Sequence, residues 1–287
     1  MWNGVGDLIV AIDGVAYGLL LYTVAAGLSL CLGVAGVMQL SHGTAYLAGA
    51  YAAWALMHGT WVGLLTALAA AIVGGAAAGT GLALLLEAVP RHLDQALATI
   101  GVALVGAYVL TEVWGAEPLS VDPPAGLGGS VDIAGRPYPV YRMVFIVIGA
   151  GLAAGLWLVV HRTRAGAVMR AVAADPAMVA ALGIPPRRMR AAVVAVATAA
   201  AAAAGVLGAP VVGPSPGIDH TVLLLSLVIV VAGGAGSTRG ALVAAMVVGQ
   251  IQTTAVAGWP TAAPYLPYAV LALALLGRFG INRRRSA

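Results

Sequence analysis

The sequence predicts an all-α, polytopic integral membrane protein with about eight or nine transmembrane helices. Of its 287 residues, 61% are hydrophobic and only 8% are charged, and the mean hydropathy is +0.99. Ordinary soluble domains carry about 25% charged residues. Apolar runs of about 20 residues, the length that crosses a hydrocarbon core of about 30 Å, recur along the chain. We therefore expect one transmembrane domain, residues 1–287, without a soluble domain.

Reactive residue types are few. All fourteen basic residues are arginine, so the chain has neither a phosphate-loop lysine nor a lysine that could form a Schiff base. The single cysteine, Cys31, lies in an apolar run, and we expect a buried, unreactive thiol. No metal-ligand cluster, nucleophile–base pair or pair of intramembrane carboxylates can be read from the sequence. We expect no catalytic residue, metal, cofactor or nucleic-acid partner.

The N-terminal segment carries two acids, Asp7 and Asp13, in place of the basic segment of a cleaved signal peptide, so we expect the first span to be retained. Nine apolar runs are candidate crossings, and the second of them is short. In order, they are Gly14–Met38, Thr44–Met57, Trp61–Leu86, Ala96–Thr111, Met143–Val160, Ala191–Val212, Thr221–Val231, Ala241–Ala257 and Pro264–Leu276.

The positions of the arginines predict the orientation of these spans. With the N-terminus outside and nine crossings, nearly every arginine lies on the inner side, as the positive-inside rule requires. The two exceptions are in the long acidic loop 115–142. If Thr44–Met57 only re-entered the membrane, this agreement would be lost, so we interpret it as a short crossing. The inner segments would be 87–94, 161–190, 233–240 and the tail with Arg283, Arg284 and Arg285, and the outer loops 115–142, 213–220 and 258–263.

The basic loop 161–190 contains six arginines and a single acid, Asp175. Asp175 followed by Pro176 is typical of a helix start, because the carboxylate caps free amides and proline presets the first φ angle. Gly183 stands where a left-handed residue ends a helix, and two prolines follow soon after. The pattern predicts a capped helix from about Pro176 to Leu182, roughly 10 Å long.

Two interpretations of this capped helix are open. It is either a turn within a solvated basic loop or a rigid docking element that presents a small apolar face to a cytoplasmic partner. Met178 and Leu182 are four residues apart and share one face, with Val179 beside them.

A polar break, residues 39–43, contains His42, the deepest titratable side chain. In one hypothesis, its polar groups satisfy backbone atoms that the broken helix leaves free. In the other, which we favour, the break lines a water-accessible path, where non-helical backbone is tolerated. A glycine-broken turn before a small-residue helix occurs at 33–53 and again at 233–249, and such pairs can mark a path. The alanine run Ala199–Ala204 is expected to pack against other helices.

The scarcity of intramembrane charges bears on the energy source. A proton-coupled carrier generally needs an acid or histidine relay inside the membrane, and only His42 lies at a suitable depth. Coupling to an external motor through loop 161–190 fits the sequence better. Because the chain has no means of hydrolysing ATP, that motor would be a separate polypeptide.

Four segments occur in a recognisable order: Gly33–Tyr51, Ala98–Gly101, Arg170–Ile184 and Gly233–Ala241. Together they resemble the motifs of permease subunits of bacterial ABC importers for branched-chain amino acids, which are related to urea and short-amide permeases and more distantly to ribose permeases. In the first segment, His42 and Gly43 match the family sequence Asn-Phe-Ala-His-Gly-Glu. Gln39, Ser41 and Thr44 replace its Asn, Ala and Glu. Because Thr44 lacks the carboxylate of that Glu, which could contact an ammonium group, a neutral substrate is an open alternative.

The resemblance implies a non-enzymatic permease subunit of an ATP-driven importer in the inner membrane. It would carry branched-chain or hydrophobic amino acids, and its partners would be a second homologous permease, two ATP-binding subunits and an extracytoplasmic binding protein. The alternatives are urea or a short amide as substrate, or a secondary carrier or channel that uses His42. The expected ATPase-coupling residues are Arg170, Ala174, Asp175, Pro176, Met178, Val179, Leu182 and Gly183. The expected path residues are Gln39, Ser41, His42, Gly43, Thr99, Gly101, Gly233, Gly234, Gly236 and Ser237.

Overall fold

The computed structural model describes residues 4–89, 91–133, 135–263, 265–269 and 271–272. Within them the chain is helical apart from loops and one short hairpin, which confirms the predicted all-α class. The elements are α1 (Gly4–Leu30), which continues into one π-helical turn (Cys31–Ala35), α2 (His42–Leu56), α3 (Trp61–Glu87), α4 (His92–Trp114), β1 (Ser130–Ile133), β2 (Arg136–Pro139), α5 (Val140–Arg162), α6 (Arg164–Ala174), α7 (Pro176–Ala181), α8 (Pro186–Gly208), α9 (Ile218–Gly233) and α10 (Thr238–Gly258).

Six of these helices are long and apolar enough to cross a membrane, namely α1, α3, α4, α5, α8 and α10. Helices α2 and α9 are shorter, with 15 and 16 residues, which corresponds to roughly 22–24 Å at 1.5 Å per residue. These eight helices of the described part of the chain agree with the expected eight or nine. The expected ninth run, Pro264–Leu276, is described only at residues 265–269 and 271–272, and the arginine-rich tail lies outside the described residues.

Helix α1 is the centre of the bundle. Its most apolar stretch is 89% buried within the chain, and it packs mainly against α10 and also against α8, α9 and α5. A helix that is hydrophobic on all sides is expected in such a position. Helix α8 is the second central helix and packs against α3, α2 and α1.

The alanine run Ala199–Ala204 is a helix-packing surface, as predicted. Most of its side chains are buried, and the adjoining Gly205 approaches the main chain of Tyr46 so closely that a Cβ atom there would overlap it. Gly49 of α2 lies equally close to the carbonyl group of Ala202. Small residues let membrane helices approach closely, so this sequence bias produces a tight contact between α2 and α8.

The loops sort to two ends of the bundle. At one end, the amide of Ala125 donates a hydrogen bond to the carbonyl oxygen of Gly59 at 2.8 Å, and the amide of Leu119 donates to that of Pro214 at 2.9 Å. The loop that follows α4 therefore contacts those that follow α2 and α8. The nine-crossing scheme also places these three loops on one side, and the short crossing by α2 stays a prediction.

The sequence pattern does not predict two of the elements. The loop predicted over 115–142 contains the hairpin β1–β2, in which Ser130 lies opposite Pro139. Four-residue strands are too short to give a clear alternation of polar and apolar residues. Helix α6 begins after Thr163, whose hydroxyl accepts a hydrogen bond from the amide of Gly166 at 3.1 Å. This N-cap is legible in the sequence and marks where the basic loop becomes helical.

Candidate functional site

The break between α1 and α2 begins where α1 widens into its π-helical turn. That turn ends at Gly36, which has a φ of 67°, a left-handed conformation that glycine adopts without steric cost. The amide of Val37 donates a hydrogen bond to the carbonyl oxygen of Cys31 at 3.1 Å. The chain is then irregular until α2 begins at His42. The predicted break is present and starts a few residues earlier than expected, because Gly36 already ends the helical backbone.

Gln39 fastens the middle of the break to α8. Its side chain is fully buried, and its Nε2 donates a hydrogen bond to Oγ1 of Thr198 at 2.7 Å. The thiol of Cys31 donates to its Oε1 at 3.2 Å, which places the cysteine in the buried position expected from the sequence. Both ends of the Gln39 amide are therefore bonded within the chain.

His42 joins the start of α2 to the middle of α1. Its ring is fully buried, and Nε2 lies 2.9 Å from the carbonyl oxygen of Val24. Because a carbonyl oxygen only accepts hydrogen bonds, Nε2 carries the proton, while Nδ1 has no partner in the described part of the chain. The ring fits against Gly27, where a Cβ atom would lie 3.1 Å from Cε1 of His42. The ring therefore bonds to the interior of α1 and not to a backbone group freed by the break, and both hypotheses for His42 stay predictions.

Gly43 and Ser41 are also buried. A Cβ atom at Gly43 would overlap the carbonyl group of Asp219, so glycine allows α2 and α9 to cross at this point. Thr44 faces another neighbour, because its hydroxyl donates to the carbonyl oxygen of Ala103 in α4 at 3.3 Å. The residues of the break thus divide between the core of the bundle and the side that faces α4.

Thr99 holds α4 against the break. Its hydroxyl lies 3.0 Å from the carbonyl oxygen of Met38 and accepts a hydrogen bond from the amide of Leu40 at 3.3 Å. Gly101 lies elsewhere on α4, is exposed, and has open space around the position of a Cβ atom. Only 6% of the apolar stretch of α4 is buried within the chain. Thr99 therefore marks the inward face of α4, and Gly101 lies on its uncovered face.

The second glycine-rich break, between α9 and α10, contacts the first. The amide of Gly236 donates to the carbonyl oxygen of Ser29 at 3.0 Å and to its hydroxyl oxygen at 3.1 Å. A Cβ atom at Gly33 would overlap the main chain of Gly236. The two breaks that the sequence pattern pairs are therefore in direct contact at one end of the bundle.

The other residues predicted in this second break shape the turn itself. Gly233 and Gly240 approach each other so closely that neither position has room for a Cβ atom. Gly234 has a φ of 91°, and the hydroxyl of Ser237 accepts a hydrogen bond from the amide of Gly240 at 3.0 Å, which caps α10. In this conformation, Gly233, Gly234 and Ser237 define the backbone of a tight connection.

The basic loop is folded into two consecutive helices, α6 and α7. The guanidinium group of Arg170 donates a hydrogen bond to the carbonyl oxygen of Val160 near the end of α5. Val172 of α6 is almost fully buried, and Ala174 ends α6 on an exposed side. These contacts fix α6 to the bundle, so α7 projects from an anchored base.

Helix α7 has the predicted caps. The carboxylate of Asp175 accepts hydrogen bonds from the amides of Ala177 and Met178, at 2.9 and 3.0 Å, and Pro176 is its first residue. Gly183 has a φ of 80° and ends the segment. The predicted helix is thus confirmed, with its last helical residue at Ala181.

The apolar side chains of α7 point in opposite directions. Met178 is 51% exposed and Leu182 is 71% exposed, whereas Val179 is only 1% exposed. Val179 therefore anchors α7 to its own chain and cannot contact a partner in this conformation, contrary to its expected membership of a docking face. Met178 and Leu182 form the only part of that predicted trio that lies open, and we call these two residues the α7 tip.

The loop that carries the α7 tip is strongly basic. The six arginines of the loop are all exposed, and none of them lies within ion-pair distance of a carboxylate in the described part of the chain. Exposed, unpaired guanidinium groups are well suited to meeting the acidic surface of another protein. They are Arg162, Arg164, Arg170, Arg187, Arg188 and Arg190.

The opposite end of the bundle carries a recess of about 440 Å³ between α1, α5 and α10. At its edge, the carboxylate of Asp13 accepts hydrogen bonds from Arg142 at 2.6 Å and from the hydroxyl of Tyr138 at 2.9 Å. Burial, and then the neighbouring Asp13 carboxylate, raise the pKa of the Tyr138 phenol above its ordinary value. The phenol therefore stays a donor at neutral pH, and this triad ties α1 to the hairpin and to α5.

The chain matches, over residues 10–277, the family described as the permease component of branched-chain amino acid transport systems. Among solved structures, PsaBC from Streptococcus pneumoniae in complex with a Fab is similar to it, with a TM-score of 0.51 and 12% sequence identity. The likeness covers 93% of this chain and 90% of that one, and at such low identity it shows a shared fold alone. No curated protein matches the chain.

Proposed function

Because the chain belongs to the family of permease components of branched-chain amino acid transport systems, we propose that it is the membrane-spanning subunit of an ATP-driven importer. It is a multi-pass membrane protein and a transporter subunit rather than an enzyme. In this proposal it lies in the inner membrane with its N-terminus outside and its C-terminus in the cytoplasm. A second permease, two ATP-binding subunits and an extracytoplasmic binding protein complete the assembly.

The α7 tip carries the proposal. Met178 and Leu182 are exposed apolar side chains on a helix that is capped by Asp175 and anchored through Val179. An anchored apolar projection in an arginine-rich loop is suited to a groove with an acidic rim on an ATP-binding subunit. Because α6 and α7 are fixed to the end of α5 through Arg170, movement of the groove would be passed to the bundle.

We place the translocation path along the uncovered face of α4. Leu97, Gly101, Val105 and Tyr108 follow one another at intervals of four, four and three residues and so share one face. All four are exposed. The opposite face of α4 is fixed to the break by Thr99. In this proposal, a second permease lies across the exposed face, and the solute passes between the two subunits.

This placement gives the predicted path residues two different roles. Gly101 lies on the path itself, and Thr99 with the exposed Met38 borders it from the break. Gln39, Ser41, His42 and Gly43 hold the break in place from within the bundle. The second glycine-rich break, Gly233 to Ser237, supports the same region through Ser29.

The family and the lining support a substrate class. We propose branched-chain or hydrophobic amino acids, since the exposed face of α4 is mainly apolar. Thr44 offers a hydroxyl near α4 where related permeases carry a carboxylate, and this observation favours urea or a short amide as the second candidate. The carrier hypothesis draws no support from His42, whose ring is bonded to a main-chain carbonyl group within the core.

Uptake by the reconstituted assembly tests this function. Proteoliposomes that contain the permeases and ATP-binding subunits would be supplied with the binding protein and with labelled leucine, valine, urea or acetamide. We expect uptake of leucine and valine that requires ATP and persists when the proton gradient is collapsed. Uptake that follows the proton gradient without ATP would contradict the proposal, and ATP-driven uptake of urea or acetamide alone would change its substrate.

A further inference from the structure

A second cluster of basic side chains surrounds one aromatic ring at the ends of α5 and α10. The guanidinium carbon atoms of Arg162 and Arg239 lie 5.8 and 5.5 Å from the centre of the Trp157 ring. His161 stacks on the same ring at 5.5 Å. These distances are typical of cation–π contacts, which orient arginine side chains without neutralising them. Neither arginine forms an ion pair in the described part of the chain, so the cluster lacks a counter-charge.

A partly open groove of about 460 Å³ leads away from this cluster between α1, α5 and α10. It follows α5 from Ile146 to Trp157, eleven residues or roughly 16 Å along the helix. Small side chains, such as Ala150 and Ala154, leave the space, and Leu19 lines the opposite wall. The groove is apolar over most of its length and polar where it meets Arg239, which is the arrangement expected for an amphipathic ligand.

A buried hydroxyl group marks the polar end of the groove. Thr238 lines the groove and is only 2% exposed. Its Oγ1 is buried and has no hydrogen-bond partner in the described part of the chain. A buried hydroxyl without a partner is unfavourable unless a ligand or water forms a hydrogen bond with it. Thr238 also opens α10, a helix of 21 residues, and the start of a helix favours negative charge.

We propose that this groove binds one acyl chain of an anionic phospholipid, with its phosphate group at Arg162, Arg239 and Thr238. The charge of the cluster selects the anionic headgroup, and the apolar groove selects the chain. A soluble anion would leave the groove empty, whereas a neutral lipid would leave the two arginines without a counter-charge. Basic pockets at the cytoplasmic ends of membrane helices are suited to such headgroups. The site is independent of which solute the permease carries.

Tryptophan quenching by brominated lipids tests this site. The full-length chain would be reconstituted in vesicles in which the bromine atoms are carried either by phosphatidylglycerol or by phosphatidylcholine, at equal mole fraction. Subtracting the signal of a Trp157→Phe variant isolates the quenching of Trp157. We expect brominated phosphatidylglycerol to quench Trp157 preferentially. The preference should fall about fivefold for each arginine replaced in Arg162→Gln and Arg239→Gln, the factor that corresponds to about 1 kcal/mol per basic side chain.

Matched controls separate a specific site from general surface charge. The double variant Arg164→Gln/Arg188→Gln removes two exposed arginines elsewhere in the loop and should keep the preference. The double variant Arg162→Gln/Arg239→Gln should lose the preference, and if it folds poorly, the single variant Arg239→Gln decides the question. Equal quenching by the two lipids, or a preference that survives the loss of Arg162 and Arg239 or disappears in the control, would overturn the proposal. Competition by inorganic phosphate would also overturn it, because it would indicate a site for soluble anions.

Discussion

The main-chain amide of Gly236 donates hydrogen bonds to both the carbonyl and the hydroxyl oxygen of Ser29, at 3.0 and 3.1 Å. This contact connects the break between α9 and α10 to the last turn of α1. It shows that the two glycine-rich breaks form one structural unit, although they are far apart in the sequence. The unit lies beside α4. If the two breaks separate, the proposed path loses the rigid backbone that borders it on this side.

Gly33 lies where the two breaks touch and has no room for a side chain. A Cβ atom there would overlap the main chain of Gly236, and neither backbone can move without disturbing a break. We expect Gly33→Ala to destabilise the folded protein by about 1–3 kcal/mol, the range typical of overpacking. The yield of monodisperse protein and its thermal unfolding in detergent measure this effect.

Gly74→Ala is the matched control, because Gly74 is an exposed helical glycine with open space around the position of a Cβ atom. Alanine there should be neutral or stabilising by up to about 1 kcal/mol. Equal stability of Gly33→Ala and Gly74→Ala would mean that the two breaks are not closely packed against each other.

The buried ring of His42 gives a second prediction. In His42→Ala, the carbonyl oxygen of Val24 keeps its place in helix α1 but loses the additional bond from the imidazole, and the buried ring leaves a cavity; together these cost roughly 1–3 kcal/mol. We expect a lower yield of folded complex, with uptake per folded complex close to that of the wild type. His42→Gln can still donate a hydrogen bond to Val24 and should restore part of the yield. A normal yield with impaired uptake would instead support the path-lining role that the sequence favours.

The uncovered face of α4 gives a third prediction. The single native cysteine, Cys31, is fully buried, so an introduced thiol dominates the reactivity of the chain. We expect Val105→Cys to cross-link to a neighbouring permease through a short bifunctional reagent. Leu65→Cys on α3, a position of equal exposure at 64%, is the control and should cross-link far less. The mass of the product also distinguishes a second copy of this chain from a different permease.

If Leu65→Cys cross-links as efficiently as Val105→Cys, or if only Leu65→Cys reacts with a permease, α4 does not lie at the interface. The path would then have to be sought on another face of the bundle.

The sequence predicts the helices of this protein well, because the bilayer imposes one length and one composition on every span. The ends of the helices depart more from the sequence pattern than their centres do. Helix α4 begins at His92 and α8 at Pro186, several residues before the apolar runs that predict them, since polar residues at helix ends can reach water. The capped helix α7 is also legible, because Asp175, Pro176 and Gly183 each have a local conformational role.

Other parts of the site depend on tertiary contacts that local patterns do not contain. The sequence gives the depth of His42 in the break, but only the packed structure places its ring against Val24 and Gly27. Likewise, Val179 and Met178 are adjacent apolar residues, and the sequence alone does not indicate which of them is exposed for docking. Their opposite exposures are decided by the way α7 sits against its own chain.

The central claim, that α7 couples the bundle to an ATP-binding subunit, is tested most directly by binding to that subunit. Replacing Met178 and Leu182 together by aspartate would place two unpaired carboxylates in an apolar groove. Uncompensated buried charges cost roughly 3–5 kcal/mol, so we expect affinity to fall at least about a hundredfold. The swap Met178→Leu/Leu182→Met keeps the apolar surface and is the matched control.

Both variants should insert and fold normally, because both side chains of the α7 tip are more than half exposed. The deciding measurement is the dissociation constant between the purified permease and the ATP-binding subunit, by surface plasmon resonance. The account predicts weak or undetectable binding for the double aspartate variant and wild-type affinity for the swap. Wild-type affinity of a folded double aspartate variant would contradict the assignment of α7 as the docking element.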